Sequence, residues 1–262
     1  SPENVRNILI VRQHNQLGDM LCSVPLFAAI RKKYPGAHIS LVASPINYEI
    51  LFSDINPFID KVITYRKASA RELREFYSEL RHHDYQIGIV PSTVSISRTS
   101  HFINYFSGAK VRVGARSIDG KQNKVEYLLN LKKDFSWDPA KLHQVDRNLE
   151  VGSLIGCSLS EKELAEVRIH LGKEEIAFAE TFMKENFPEN ESPVIAFHPG
   201  AGKAPNRWNA SNFVELMKLL KHEFTACKFN KLFLFLNNAA ILIFDSSQRI
   251  EITRVYSFTE YA

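Results

Sequence analysis

The feature that most constrains this chain is a repeated unit: an apolar run, a polar turn, then an amphipathic stretch. Residues 8–35, ILIVRQHNQLGDMLCSVPLFAAIRKKYP, carry the first copy. Residues 8–11 are continuously apolar, as expected of a strand covered on both faces of a parallel sheet. A polar loop follows and ends in Gly18-Asp19. Glycine there permits a positive φ and lets a ligand approach the backbone. Met20, Val24, Phe27, Ile30 and Tyr34 recur at spacings of three and four, which puts them on one helix face. Pro25 fits only a first turn, so the regular helix is predicted to begin near Ser23 and to stop at Pro35-Gly36. Asp19 lies at or just before a helix N-terminus. Spacing alone favours a helix cap there over a catalytic carboxylate.

The unit repeats. Strands are predicted over 38–43, 61–65, 85–90 and 111–114, and helices over 69–83, 97–106 and 139–155. Alternating strands and helices with short turns predict an α/β fold with a doubly wound parallel sheet. Ligands of such sheets sit beyond the carboxyl ends of the strands, where the loops 13–19, 92–98 and 115–121 fall. His143 and Arg147, four residues apart, share one face of the last helix. A solvated basic pair is the common outcome of that pattern.

A polar stretch around residues 156–166 reads as a linker, giving a first domain over 1–160 and a second over 161–262. The second half restarts the pattern, with a helix over 175–187 and a strand over 194–197 that runs into HPGAGKAPNRW at 198–208. Asn209 or Ser211 then caps a helix with Phe213, Leu216, Leu219 and Leu220 inward. The tail departs from this grammar. No glycine follows Gly202 and no proline follows Pro205, although α/β turns draw on both. Strands are predicted at 231–236, 241–244 and 249–256. A second Rossmann-like domain needs roughly 130 residues, so the second domain reads as incomplete.

Composition narrows the function classes. Apolar content of 45% with 24% charged residues is that of a globular protein. A net charge of +4 suits an anionic ligand and is too small to demand nucleic acid. Cys22, Cys157 and Cys227 are odd in number, far apart and without metal spacing, as in a reducing compartment. The apolar run at 231–244 is interrupted and too short to span a bilayer. A dinucleotide-binding reading lacks G-x-G-x-x-G after the first strand, and no P-loop is present. The histidines show no paired spacing for a metal.

Three stretches together resemble glycosyltransferase family 9, the ADP-heptose:lipopolysaccharide heptosyltransferases and their relatives. They are ILIVRQHNQLGDMLCSVPLFAAIRKKYPGAHISLV; FSGAKVRVGARS with HQVDRNLE downstream; and VIAFHPGAGKAPNRWNASNFVEL. The resemblance covers residues 7–220. It implies a GT-B-like fold: an acceptor-side Rossmann-like domain over 1–160 and a partial nucleotide-sugar-binding domain over 161–262. Residues 221–262 are not family-like, as a frameshift or early truncation would leave them. They lack the family's D-S-G-x-x-H segment, since Asp245-Ser246 is followed by Ser247-Gln248.

The resemblance implies an inverting glycosyltransferase that needs neither metal nor cofactor. It would move a heptose-type sugar from a nucleotide-sugar, ADP-heptose, to an anionic glycolipid of the lipopolysaccharide core. Gly18 and Asp19 match the family's GD, and Asp19 would be the general base. Arg12, Gly18, Arg116, His143 and Arg147 match acceptor-side positions. His198, Gly200, Ala201, Asn206, Arg207 and Trp208 match the donor side; Asn206 stands where the family has a lysine, and Lys203 lies near but not at the matching position as its substitute. Core packing is the equal alternative for Trp208. The expected location is the cytoplasm, peripheral at the inner membrane. The alternative to an enzyme is a non-catalytic remnant or acceptor-binding module without a complete donor site.

Overall fold

A computed structural model describes residues 4–14, 17–47, 56–66, 69–138, 142–168, 171–186 and 204–223, with the backbone of 241–244 and 250–253. The chain divides into two compact units, Ser1–Gly172 and Lys173–Ala262.

In the first unit the apolar runs become strands: β1 (Asn7–Arg12), β2 (His38–Ala43), β3 (Lys61–Thr64) and β4 (Ile87–Ile89). They are followed by β5 (Val111–Ile118), β6 (Lys121–Gln122) and β7 (Leu131–Phe135). The parallel order is β3-β2-β1-β4-β5-β7, and β6 is a short antiparallel flap on β5. β1 pairs with β2 on one side and β4 on the other, so the winding reverses at β1. A crevice at such a reversal is the usual ligand site of an open α/β sheet.

The helices of this unit are α1 (Leu17–Leu21), α2 (Val24–Lys33), α3 (Ala70–Arg81), α4 (Arg98–Phe106), α5 (Gln144–Ser153) and α6 (Glu161–Glu166). Successive β1 residues point to opposite faces. Ile8 and Ile10 join a core with Leu26, Phe27 and Ile30 of α2 and Val151 of α5. Leu9 and Val11 join a second core with Leu80 of α3 and Ile103 of α4. Two glycines permit close helix packing. A Cβ on Gly88 would sit 1.8 Å from Asn104 Oδ1, and one on Gly152 would sit 2.5 Å from Leu26 Cδ1.

Local signals explain the helix starts. Ser69 and Glu72 form a reciprocal capping box for α3, and Ser97 accepts from the Ser100 N–H to cap α4. The helix predicted over 139–155, α5, is shorter than its pattern predicts. Its helical residues begin at Gln144, with His143 as the N-cap. The loop expected over 115–121 is instead the end of β5 and a hairpin. Asp119 and Gly120 take φ of 49° and 76°, the conformation that an Asp-Gly pair supplies in a two-residue turn.

The second unit contains α7 (Lys173–Asn186), a short turn at Ala204–Asn206 and α8 (Ala210–Glu223). Its described strands, β8 (Ile241–Phe244) and β9 (Ile250–Thr253), form an antiparallel pair. Asn209, not Ser211, caps α8, accepting from the Ser211 N–H at 3.3 Å. The apolar stripe of α8 is displaced from the expected one: Met217 is buried and Leu219 is 68% exposed. The strands expected at 194–197 and 231–236 lie outside the described residues. Among the described residues no helix is long and apolar enough to cross a membrane.

Candidate functional site

The site is built where β1 and β4 end side by side. Arg12, the last residue of β1, is 7% exposed. Its Nη1 donates to Pro91 O just beyond β4, and its Nη2 donates to Asp19 O at 3.1 Å. Gln13 Nε2 donates to Ser97 Oγ at the start of α4, at 3.2 Å. The carbonyl of His14 is held by Asn47 Nδ2 at 2.7 Å and Ser44 Oγ at 3.3 Å, both from the loop after β2. Side chains thus join the ends of β1, β2 and β4 around one crevice.

Asp19 sits inside α1, a single turn closed by the Cys22 N–H on Gly18 O at 3.0 Å and the Ser23 N–H on Met20 O at 2.9 Å. Its side chain is half-buried and makes no hydrogen bond or ion pair among the described residues. The N-cap of α2 is Ser23, and its side chain makes no capping bond. Ser23 Oγ donates instead to Asp19 O at 2.9 Å and lies 3.4 Å from Asn148 Oδ1. Asn148, fully buried on α5, donates through Nδ2 to Cys22 O at 3.2 Å. The helix-cap reading of Asp19 therefore gives way to a different arrangement. Its main chain is gripped and its carboxylate is left without a described partner.

The charges around it are coupled. Burial pulls the Arg12 guanidinium pKa down, and the nearby Asp19 opposes that shift. Burial and then Arg12 hold the His14 pKa below its ordinary value, with Asp19 again opposing. Burial and then the Asp19 charge push the Cys22 thiol up, against Arg12. Cys22 is therefore no activated nucleophile, since nucleophilic cysteines need a lowered pKa. Among the described residues no group of three or more His, Cys, Asp or Glu side chains could hold a metal ion.

The other acceptor-side positions have different surroundings. Arg116 on β5 is exposed and forms a two-bond ion pair with Asp134 on β7. Arg116 and then Ser117 lower the Asp134 carboxyl to about 2. His143 is exposed and accepts from the Val145 N–H at 3.3 Å. Arg147 is 6% exposed, donates to Leu142 O at 3.2 Å and lies 5.6 Å from the Trp137 ring. The solvated-pair reading thus fails for Arg147, whose stem and guanidinium are packed. No described hydrogen bond or ion pair joins Arg116, His143 or Arg147 to Asp19. Ser23 and Asn148 were missed by the sequence reading. Ser23 carried a signal as the residue before Val24-Pro25, but one that pointed to capping.

On the donor side, His198, Gly200, Ala201 and Lys203 lie outside the described residues, as does the side chain of Asn206. Arg207 is exposed. Trp208 is 51% exposed and meets Phe213 edge-on at 5.0 Å, so core packing does not account for it.

Comparison with known proteins accords with this architecture. The solved structure of a glycosyl transferase family 9 protein from Veillonella parvula is 18% identical, with a TM-score of 0.65 over 83% of this chain and 60% of that one. Escherichia coli ADP-heptose lps heptosyltransferase II is 23% identical, with a TM-score of 0.57 over 83% of this chain and 62% of that one. E. coli heptosyltransferase WaaC with ADP-2-deoxy-2-fluoro heptose is 17% identical, with a TM-score of 0.53 over 83% and 66%. The likeness is one of fold, GT-B-like, and this chain spans 60% to 66% of those chains' lengths. A search of curated proteins gave no match. The profile of glycosyltransferase family 9 (heptosyltransferase) matches residues 73–229, more than half of the sequence. The chain therefore belongs to glycosyltransferase family 9, the heptosyltransferases.

Proposed function

We propose that the chain is an inverting, metal-independent heptosyltransferase whose acceptor-side half carries Asp19 as the general base. The observation that carries this reading is a half-buried carboxylate without a described partner, held by its main chain at the sheet's reversal point. In the proposed reaction an acceptor hydroxyl oxygen attacks C1 of the sugar from the face opposite the nucleotide. The new C–O bond forms as the C1–diphosphate bond breaks, the hydroxyl proton passes to Asp19, and the nucleoside diphosphate leaves. A carboxylate within one hydrogen bond of the attacking hydroxyl suits that transfer.

The proposed donor is ADP-heptose and the proposed acceptor an anionic glycolipid of the lipopolysaccharide core, met at the cytoplasmic face of the inner membrane. Arg116 and His143 are the proposed acceptor-side contacts, Arg147 being buried against Trp137, and Gly18 gives the acceptor room beside Asp19. The donor's nucleotide falls to the second domain, proposed over 161–262, through the segment 198–208 with Arg207 and Trp208. Without a metal, backbone N–H groups and cations must stabilise the departing diphosphate. The profile match begins at residue 73, so the Asp19 assignment rests on the fold and the site rather than on that match.

The test is heptose transfer from ADP-heptose to a Kdo–lipid A acceptor. Asp19→Asn is expected to lower kcat by roughly 10²- to 10⁴-fold with the circular dichroism unchanged. One observation favours a second reading, a non-catalytic acceptor-binding module. The profile match runs to residue 229, into the stretch expected to be unlike the family, and ends there, and residues 221–262 contain no D-S-G-x-x-H segment. Acceptor binding without transfer by the parent chain would support that reading.

A further inference from the structure

Asp19 O receives two side-chain hydrogen bonds, and each donor gives up something to make them. Ser23 occupies the N-cap of α2, where a serine ordinarily accepts from the N2 or N3 amide and stabilises the helix. Here it makes no such bond and donates to Asp19 O. Arg12 is nine-tenths buried, and its Nε has no partner in the described structure. Leaving such a buried donor unpaired is costly. Its two Nη groups nonetheless tie Asp19 O to Pro91 O across the β1–β4 reversal. Asn148 fixes the same turn from α5 through Cys22 O.

We infer that Arg12 and Ser23 are positioning residues, a clamp on the Asp19 main chain that sets where its carboxylate points. The inference rests on the reading of Asp19 as the general base. It also departs from the acceptor contact implied for Arg12 by resemblance, because both Nη groups are spent on carbonyls and little of the side chain reaches solvent. Arg12 acts through Asp19 and does not touch the reacting atoms.

The test uses the full chain and the variant Arg12→Lys. Lysine keeps the charge, but a single ammonium on a flexible stem does not reproduce the planar fork that spans two carbonyls. Hydrogen exchange read by mass spectrometry is expected to speed up at least tenfold in the peptide 17–23 and to stay unchanged in α3. Acceptor affinity, measured with a Kdo–lipid A analogue in the Asp19→Asn background, is expected to be the same with and without Arg12→Lys. In turnover, kcat falls while the donor KM holds. Ser23→Ala, a smaller change, is expected to raise exchange in the same peptide and guards against a misfolded Arg12 variant. Unchanged exchange in 17–23 for both variants would overturn the clamp. Loss of acceptor affinity on adding Arg12→Lys would overturn it too, by making Arg12 a direct acceptor ligand. Retained turnover in Asp19→Asn would instead remove the general-base reading and leave the exchange result standing on its own.

Discussion

Asp19 and His101 show how burial assigns roles that residue type does not. Asp19 has its backbone carbonyl bonded twice and its carboxylate unbonded among the described residues. His101 is the opposite case: fully buried on α4, it has both ring nitrogens engaged. Its Nδ1 lies 2.7 Å from Ser97 O, and Asn123 Nδ2 approaches Nε2 at 3.0 Å. A carbonyl can only accept, so the proton sits on Nδ1, the Asn123 amide donates to Nε2, and the ring is neutral. Burial holds its pKa below the ordinary value, against the Ser97 hydrogen bond. The unfolded chain takes up this proton near pH 6.5 and the folded chain only below that. Stability from His101 is therefore complete above about pH 6.5 and declines as the pH falls. Urea denaturation at pH 7.5 and 5.5 is expected to show a smaller pH loss for His101→Gln than for the parent; equal losses would contradict this. The sequence singled out Asp19, Arg12 and Arg147 but could not say which atoms of each would find partners. That depends on partners such as Pro91, which Arg12 meets across 79 residues of sequence.

At the level of elements, reading succeeded where a single physical signal dominated. The apolar run of β1 and the Pro25 position each fixed an element near its observed bounds. It failed where tertiary contacts outweighed pattern. β7 is LKKDF, with buried Phe135 at one end and exposed Lys133 and Asp134 in between. It pairs with β5 through backbone bonds and carries no apolar alternation. The β5–β6 hairpin had a signal in Asp119-Gly120, hidden by the expectation of a functional loop there. α4 comes close to β4 at Gly88. Asn104 Nδ2 donates to Gly88 O at 3.2 Å, and a Cβ on Gly88 would also fall 2.8 Å from the Ala109 Cβ. Gly88→Ala is expected to destabilise the fold by about 1–3 kcal/mol, the usual range for overpacking. A denaturation midpoint equal to the parent's would show that α4 can move away without loss.

At the level of the whole molecule, the first unit contains the entire parallel sheet and two cores, one on each face. A fragment comprising residues 1–172 is expected to unfold cooperatively, with near-native circular dichroism and protected β1 amides. A fragment that fails to do so would mean that its stability depends on residues 173–262. The family and the fold were both legible in sequence, because the strand–loop–helix units and the three motif stretches lie before the tail. The side chains of residues 198–203 are outside the described structure, so the proposed donor half stands on sequence alone, and the account centres on Asp19. Its most direct test is the rate of heptose transfer from ADP-heptose to a Kdo–lipid A acceptor by the parent chain and by Asp19→Asn under the same conditions. The account expects transfer by the parent and a loss of roughly 10²-fold or more in the variant, with both proteins equally folded. Transfer by Asp19→Asn at the parent's rate, or no transfer by the parent at saturating donor and acceptor, would contradict it.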